Sequence, residues 1–260
     1  MSTPRVLFEV EGPTAVLTFN RPEARNAMTW EMYEALVGAC DRVDRDPSVR
    51  VFVLRGAGKA FVSGTDIEQF TRFGSRDDAL AYEHRIDEVV ERLERVAAAT
   101  IAQVQGVAAG GGCMIALACD LRVCSPEAQF GMPIARTLGN CLSAANYARL
   151  LDLLGPARVK DLLFTGRLID AAEAAALGLV TRMADATAIE AAVRGLAATI
   201  AANAPLTIRA TKESIRRLQV ERRVDPAQTE DLIAACYGSD DFKEGVAAFL
   251  AKRRPVFTGR

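Results

Sequence analysis

The sequence predicts an α/β core followed by a helical C-terminal portion. Three observations carry that reading. Short apolar or alternating runs, VLFEVEG, TAVLTFN, VRVFVLRG, TIAQVQG and LRVCS, have the length and composition of strands. Segments with apolar residues at helical spacing alternate with several of them, and after about residue 139 the helical pattern continues alone.

In chain order, VLFEVEG and TAVLTFN are divided by Gly12-Pro13 and read as a hairpin. After the turn NRPEARN, Thr29 is placed to cap a helix on which Met32, Leu36, Ala39, Cys40 and Val43 recur at helical spacing. VRVFVLRG is a buried strand, Gly56 to Gly64 a loop, and Asp66 to Phe70 a short helix. Residues 77–96 form a longer helix whose stripe is Ile86, Val89, Val90, Leu93 and Val96. TIAQVQG is a strand ending at Gly106, a glycine run leads into a helix over 111–118, and LRVCS is another strand. Helices then follow over 143–153, 156–165, 171–177, 186–203, 205–219, 226–237 and 239–252, with Gly155-Pro156 and Pro205 as element boundaries.

Composition narrows the function classes. A chain of 260 residues, half of them hydrophobic, can bury one large core. Its net charge of −1 provides no general field for nucleic acid or an anionic membrane, so neither partner is expected. No apolar run reaches the roughly 18 residues of a membrane span, and the N-terminus lacks a basic stretch followed by an apolar one. A cytoplasmic protein is the expectation. Cys40, Cys113, Cys119, Cys124, Cys141 and Cys236 show no CxxC pairing and read as reduced core residues, with no metal site.

Two stretches, FVSGTDIEQF (61–70) and GVAAGGGCMIALACD (106–120), place glycine where a strand gives way to a helix. Neither is followed by Gly-Lys-Ser/Thr and neither contains GxGxxG, so a nucleotide fold is disfavoured. The first N–H groups of a helix lack internal partners, and two such ends facing one another would form an oxyanion hole. From spacing alone, two packing turns are the preferred reading.

The stretches NRPEARNAM, AFVSGTDIEQF, IAQVQGVAAGGGCMIALACDLRVCSPEAQFGMP, LLFTGRLIDAAEAAALGLV and DFKEGVAAFLAKRRPVF resemble successive motifs of the crotonase (enoyl-CoA hydratase/isomerase) family, in family order from residue 20 to residue 257. The resemblance implies ββα turns coiled into a superhelix over 1–200, and a helical region over 201–260 that mediates homotrimers, which pair into homohexamers. It implies an acyl-CoA substrate whose thioester enolate is held by the backbone N–H groups of Thr65 and Gly111. No separate cofactor is implied, because CoA enters as part of the substrate. Matching CoA-binding positions are Lys59, Ala60, Val62 and Asp66, with Phe249 and Lys252 matching positions that in relatives reach the CoA of a neighbouring subunit. Lys59 also reads as a solvated lysine, and Phe249 and Lys252 as part of an amphipathic helix.

One departure is specific. Hydratases of the family carry two glutamates where this chain has Met114 and Ile134. Neither moves a proton, and positioned acid–base groups contribute about 10² to 10⁴ in rate. Replacement candidates at the acyl end are Arg136, which would pair with a substrate carboxylate, and Asn140, Cys141 and Ser143. Asn140 reads equally as a helix cap. His84 and Glu68 are further candidate bases, and Asp120 reads as structural. The expected activity is lyase or isomerase chemistry on a CoA thioester. The alternatives are a non-catalytic acyl-CoA-binding or assembly protein and an acyl hydrolase using Ser143 or Cys141.

Overall fold

The computed structural model describes residues 4–72, 74–221, 225, 227 and 230–258. Strands β1 (Val6–Glu11) and β2 (Thr14–Phe19) form the expected antiparallel hairpin, Val6 opposite Phe19 and Glu11 opposite Thr14. Helix α1 (Trp30–Arg45) starts after an extended Thr29, but the Thr29 hydroxyl makes no cap hydrogen bond. Strand β3 (Val51–Gly56) runs parallel to β2, and a 3-10 turn over Ile67–Arg72 stands where a short helix is expected. Helix α2 (Arg76–Glu94) opens on a capping box: the Ser75 hydroxyl accepts from the Asp78 N–H and the Asp78 carboxylate accepts from the Ser75 N–H.

The ββα repeat is plainest in the middle of the chain. Strand β4 (Ala99–Val104) joins the first sheet, β5 (Val107–Ala109) the second, and α3 (Gly111–Ala118) follows. Strand β6 (Leu121–Cys124) joins the first sheet and β7 (Gln129–Gly131) the second, before α4 (Ile134–Thr137) and α5 (Ala144–Thr165). Short strand β8 (Ile169–Asp170), α6 (Ala171–Ala176), β9 (Arg182–Met183), α7 (Ile189–Ala202), α8 (Pro205–Val220), α9 (Glu230–Tyr237) and α10 (Asp240–Leu250) follow. The first sheet is ordered β1-β2-β3-β4-β6-β9 and the second β5-β7-β8.

Three expectations are corrected. Strands β5, β7, β8 and β9 are two or three residues long, too short to show a period, so the stretch after residue 139 is not wholly helical. The two helices over 143–153 and 156–165 are one broken element, with Gly155 at φ 72° and Pro156 restarting the helix. The expected helix over 226–237 is described only from Glu230, its earlier part lying outside the described residues.

Sheet pleating divides the core. Leu17, Phe19, Phe52 and Leu54 face the large cluster shared with α1, α2 and α3, while Val51, Val53, Ile101 and Val123 pack under Ile189, Val193 and Leu196 of α7. Helices α9 and α10 lie over α2 and the 3-10 turn, with the Phe242 ring 6.0 Å from Phe70 and 4.7 Å from Tyr237. Helix α8 leaves Leu206, Ile215 and Leu218 more than half exposed. No single helix among the described residues is long and apolar enough to cross a membrane.

Candidate active site

A cavity of about 580 Å³ opens between the loop before the 3-10 turn, the start of α3, helices α2 and α4, and the end of α10. Its first wall is backbone. Gly64 (φ 115°) and Gly110 (φ 51°) hold conformations that residues with a Cβ rarely adopt, and they bring the two loops into contact. A Cβ on Gly111 would sit 2.6 Å from the Tyr33 hydroxyl and 3.9 Å from the Thr65 nitrogen, so any side chain there would force the loops apart. The Thr65 and Gly111 N–H groups are therefore neighbours, and neither donates to an acceptor among the described residues. Gly111 opens α3, where the aligned peptide dipoles add partial positive charge. Two such donors can hold an oxygen that gains negative charge.

Buried polar residues fix this wall from behind. Asn26 is fully buried; its amide donates to the carbonyls of Ala57, Ala60 and Phe61, and its oxygen accepts from the Arg21 N–H at 2.8 Å. The Thr65 hydroxyl hydrogen-bonds Tyr33 and Tyr82, each at 2.8 Å. At the far end of α3, the buried Arg122 guanidinium donates to the carbonyls of Cys119 at 2.6 Å and Ala116 at 3.2 Å, and to that of Leu179. Met114, one turn into α3, is buried, and with Ile134 it makes the cavity apolar beside the donors.

The opposite wall is built from side chains. Glu83 of α2 lines the cavity and is 4% exposed. The Tyr237 hydroxyl of α9 donates to Glu83 Oε1, and the Ser143 N–H donates to Oε2 at 3.1 Å. Asn140 Nδ2 donates to the Tyr237 oxygen at 3.1 Å, extending the chain. Desolvation by burial pushes the Glu83 carboxyl up to about 8; the Tyr237 and Ser143 donors pull it down, and the Asp87 charge pushes it further up. Burial raises the Tyr237 hydroxyl well above its ordinary value, so it stays a donor.

The expected site residues divide cleanly. Thr65, Gly111, Met114, Ile134, Asn140, Asp66, Glu68, Phe249 and Lys252 line the one cavity. Phe249 and Lys252 do so within their own chain. Asp66 pairs with Arg21 at 2.5 Å and caps Glu68, so it anchors the loop, and Arg21 and Arg25 are cavity-lining cations that the sequence did not suggest. Glu68 is exposed at the mouth.

The remaining candidates do not line this cavity. His84 points away from the cavity, with a half-exposed ring whose Nε2 lies 3.8 Å from Glu230, because one residue past Glu83 the helix has turned toward solvent. Arg136 is exposed on α4, against Gly166, and lines no part of the cavity. Lys59 lies in a separate groove with Arg55 and Gln105, while Ala60 and Val62 are buried beneath the loop. Ser143, not Asn140, caps α5: its hydroxyl accepts from the Asn146 N–H and donates to Asp87 at 2.7 Å. Cys141 is hydrogen-bonded to Cys236 and its thiol is pushed up by that contact and by burial, so it is not poised as a nucleophile, and the buried Ser143 hydroxyl is engaged by the α5 cap and Asp87. Asp120 is structural as read, accepting from Thr100 and pairing with Lys212 at 2.8 Å.

Glu83 and Tyr237 are what sequence reasoning missed. Carrying the stripe of α2 back from Ile86 by three and four residues reaches Glu83 and Tyr82, which places a carboxylate among buried apolar positions. That interruption was the available signal. Tyr237 gave none, being 154 residues away.

A coiled ββα frame with two unengaged backbone donors beside an apolar cavity defines a protein of the crotonase type. The sequence profile of the enoyl-CoA hydratase/isomerase family matches residues 9–260. An enoyl-CoA hydratase of Mycobacterium tuberculosis is 37% identical over 264 residues, covering 100% of this chain and 98% of that protein. The solved structure of an enoyl-CoA hydratase/carnitine racemase from Magnetospirillum magneticum is 35% identical with a TM-score of 0.80, covering 100% and 97%. That of a methylmalonyl-CoA decarboxylase in complex with 2-nitronate-propionyl-CoA is 26% identical with a TM-score of 0.91, covering 100% of both chains. The chain belongs to the enoyl-CoA hydratase/isomerase family, a family of acyl-CoA-processing enzymes.

Proposed function

We propose that this protein is an acyl-CoA lyase or isomerase that stabilises a thioester enolate on the Thr65 and Gly111 N–H groups and is not an ordinary hydratase. The carrying observation is the pairing of those two unclaimed donors with buried Met114 and Ile134 where a hydratase has glutamates. Negative charge developing on the thioester oxygen is met by donors that need no reorganisation, a contribution of about 3 kcal/mol for each. An acyl chain fits between Met114, Ile134, Ile86 and Leu142, while Arg25 and Lys252 supply positive charge for the CoA phosphates. CoA enters with the substrate, and no other cofactor is part of this reading.

Hydration of crotonyl-CoA, followed by loss of the conjugated thioester absorbance, is expected at least about 10²-fold below that of a two-glutamate hydratase measured alongside. Comparable turnover would sink the reading. The apolar pair also favours a second reading, a non-catalytic acyl-CoA-binding protein. Calorimetric binding of acyl-CoAs with no change in any of a broad thioester panel selects it. Exposed Leu206, Ile215 and Leu218 on α8 suit assembly into the trimers or hexamers expected from the family resemblance; light scattering of the purified protein at a single-chain mass rejects that assembly.

A further inference from the structure

A thioester enolate needs a partner that takes or returns a proton, and Met114 and Ile134 are unable to do so. Among the carboxylates lining the cavity, Glu23 and Glu68 are exposed and Asp66 is committed to Arg21; Glu83 alone is buried. Its position is built, not incidental. Two segments far from it in the chain converge on it: α9 through Tyr237, and the stretch before α5 through the Ser143 N–H, with Asn140 of that same stretch donating to Tyr237. Those donors use two of the roughly four acceptor positions of a carboxylate.

We infer that Glu83 is the acid–base catalyst of this site, with Tyr237 as the residue that positions it. The assignment rests on the thioester-enolate reading above. In the step it performs, the Glu83 carboxylate takes a proton from the carbon next to the thioester. The C–H electron pair becomes the enolate C=C bond, and the negative charge passes from Glu83 to the thioester oxygen at Thr65 and Gly111. Return of the proton to the same carbon regenerates the thioester. With a β,γ-unsaturated chain, return to the γ-carbon moves the double bond into conjugation. No oxidant or other reactant is needed.

The charge state of Glu83 is set by groups on every side. Asp87 and Tyr82 flank it on α2, Tyr237 faces it from α9, Tyr33 from α1, Cys141 from the stretch before α5 and Tyr147 from α5 itself. Burial favours the neutral acid near neutrality, so the carboxylate that accepts a proton grows in as pH rises through about 8.

Butyryl-CoA in D₂O provides the test, since α-proton exchange read by NMR requires only this step. The protein is expected to exchange the α-protons, faster as pH rises through about 8. Glu83→Gln is expected to lose exchange by about 10² or more, with butyryl-CoA affinity by calorimetry unchanged within about threefold. Should Glu83→Gln fail to fold, Glu83→Asp is expected to keep a slower exchange with the same upward pH dependence. Tyr237→Phe is expected to move the pH midpoint upward, because its hydroxyl favours the carboxylate; a merely structural tyrosine would leave it in place. Exchange by Glu83→Gln within about threefold of the parent overturns this assignment and leaves the enolate reading standing. Binding by the parent without exchange also overturns the assignment, and absence of any acyl-CoA binding overturns both.

Discussion

The two walls of the cavity reach their polarity by opposite routes. On the donor wall the chemistry belongs to the backbone, through Thr65 and Gly111, while the neighbouring side chains Met114 and Ile134 are apolar and buried. On the facing wall the backbone of α2 is helical and internally bonded, and the chemistry belongs to the Glu83 side chain, held by the Tyr237 hydroxyl and the Ser143 N–H. A backbone donor disappears only when the loop moves, so Gly64, Gly110 and Asn26 protect it through conformation and burial. A side-chain acid can be exchanged one residue at a time. The walls also act on each other: an apolar donor wall strengthens the field of the two N–H groups and raises the cost of charging Glu83 opposite.

The largest expected effect breaks the donor wall alone. Gly111→Ala places a Cβ 2.6 Å from the Tyr33 hydroxyl, and displacing the Gly111 N–H is expected to lower turnover on any active thioester by about 10²- to 10³-fold. Steady-state kinetics checks this. A loss below about fivefold would place the oxyanion elsewhere.

Next comes the facing wall, read through stability. The folded-state pKa of Glu83 is raised above its unfolded value, so the folded protein holds a proton that the unfolded chain releases. Stability from this group is complete below about 4.5 and is lost as pH rises through about 8. Glu83→Gln, which has no proton to release, should flatten that slope and be the more stable protein above pH 8 by on the order of 3 kcal/mol, after allowing for water entering the cavity. Denaturant titrations of both proteins across that range decide it; parallel curves would mean that Glu83 is ordinarily ionised.

A smaller effect tests what holds the donor wall. Asn26→Ala removes a buried amide that joins three carbonyls and one N–H, leaving groups unsatisfied at a cost of about 2 kcal/mol. Chemical denaturation measures that cost. Activity should fall together with stability, because the same amide positions the loop that carries Thr65.

What could be read beforehand follows the same division. The donor wall is local in sequence: GTD and GGG lie at strand-to-helix junctions, and within them Thr65 and Gly111 are singled out by the family resemblance, while the hairpin, α1, α2, α3 and strands β3, β4 and β6 were legible from pattern. The facing wall is assembled by tertiary packing from residues 83, 140, 143 and 237, and no local pattern joins them. Starting the α2 stripe at Ile86 instead of Ala79 left Glu83 out of it and drew attention to His84, one residue and about 100° around the helix. Arg136 suited a carboxylate by type alone, and the short α4 turns it outward. Strands β5 and β7 escaped notice because a three-residue strand has no period to display.

The smallest effect separates the outer and inner members of the acid wall. Asn140 donates to the Tyr237 oxygen at 3.1 Å, while its own Oδ1 is buried without a donor among the described residues. Asn140→Ala therefore loses one hydrogen bond of about 1 kcal/mol and also removes an unsatisfied carbonyl whose burial costs a similar amount. The two contributions offset, and denaturant midpoints are expected to differ by less than about 1 kcal/mol. Tyr237 keeps its bond to Glu83, so the pH dependence of α-proton exchange should shift less than in Tyr237→Phe. A loss above about 2 kcal/mol, or a larger pH shift than Tyr237→Phe gives, would make Asn140 the keystone of the wall and Tyr237 its dependent.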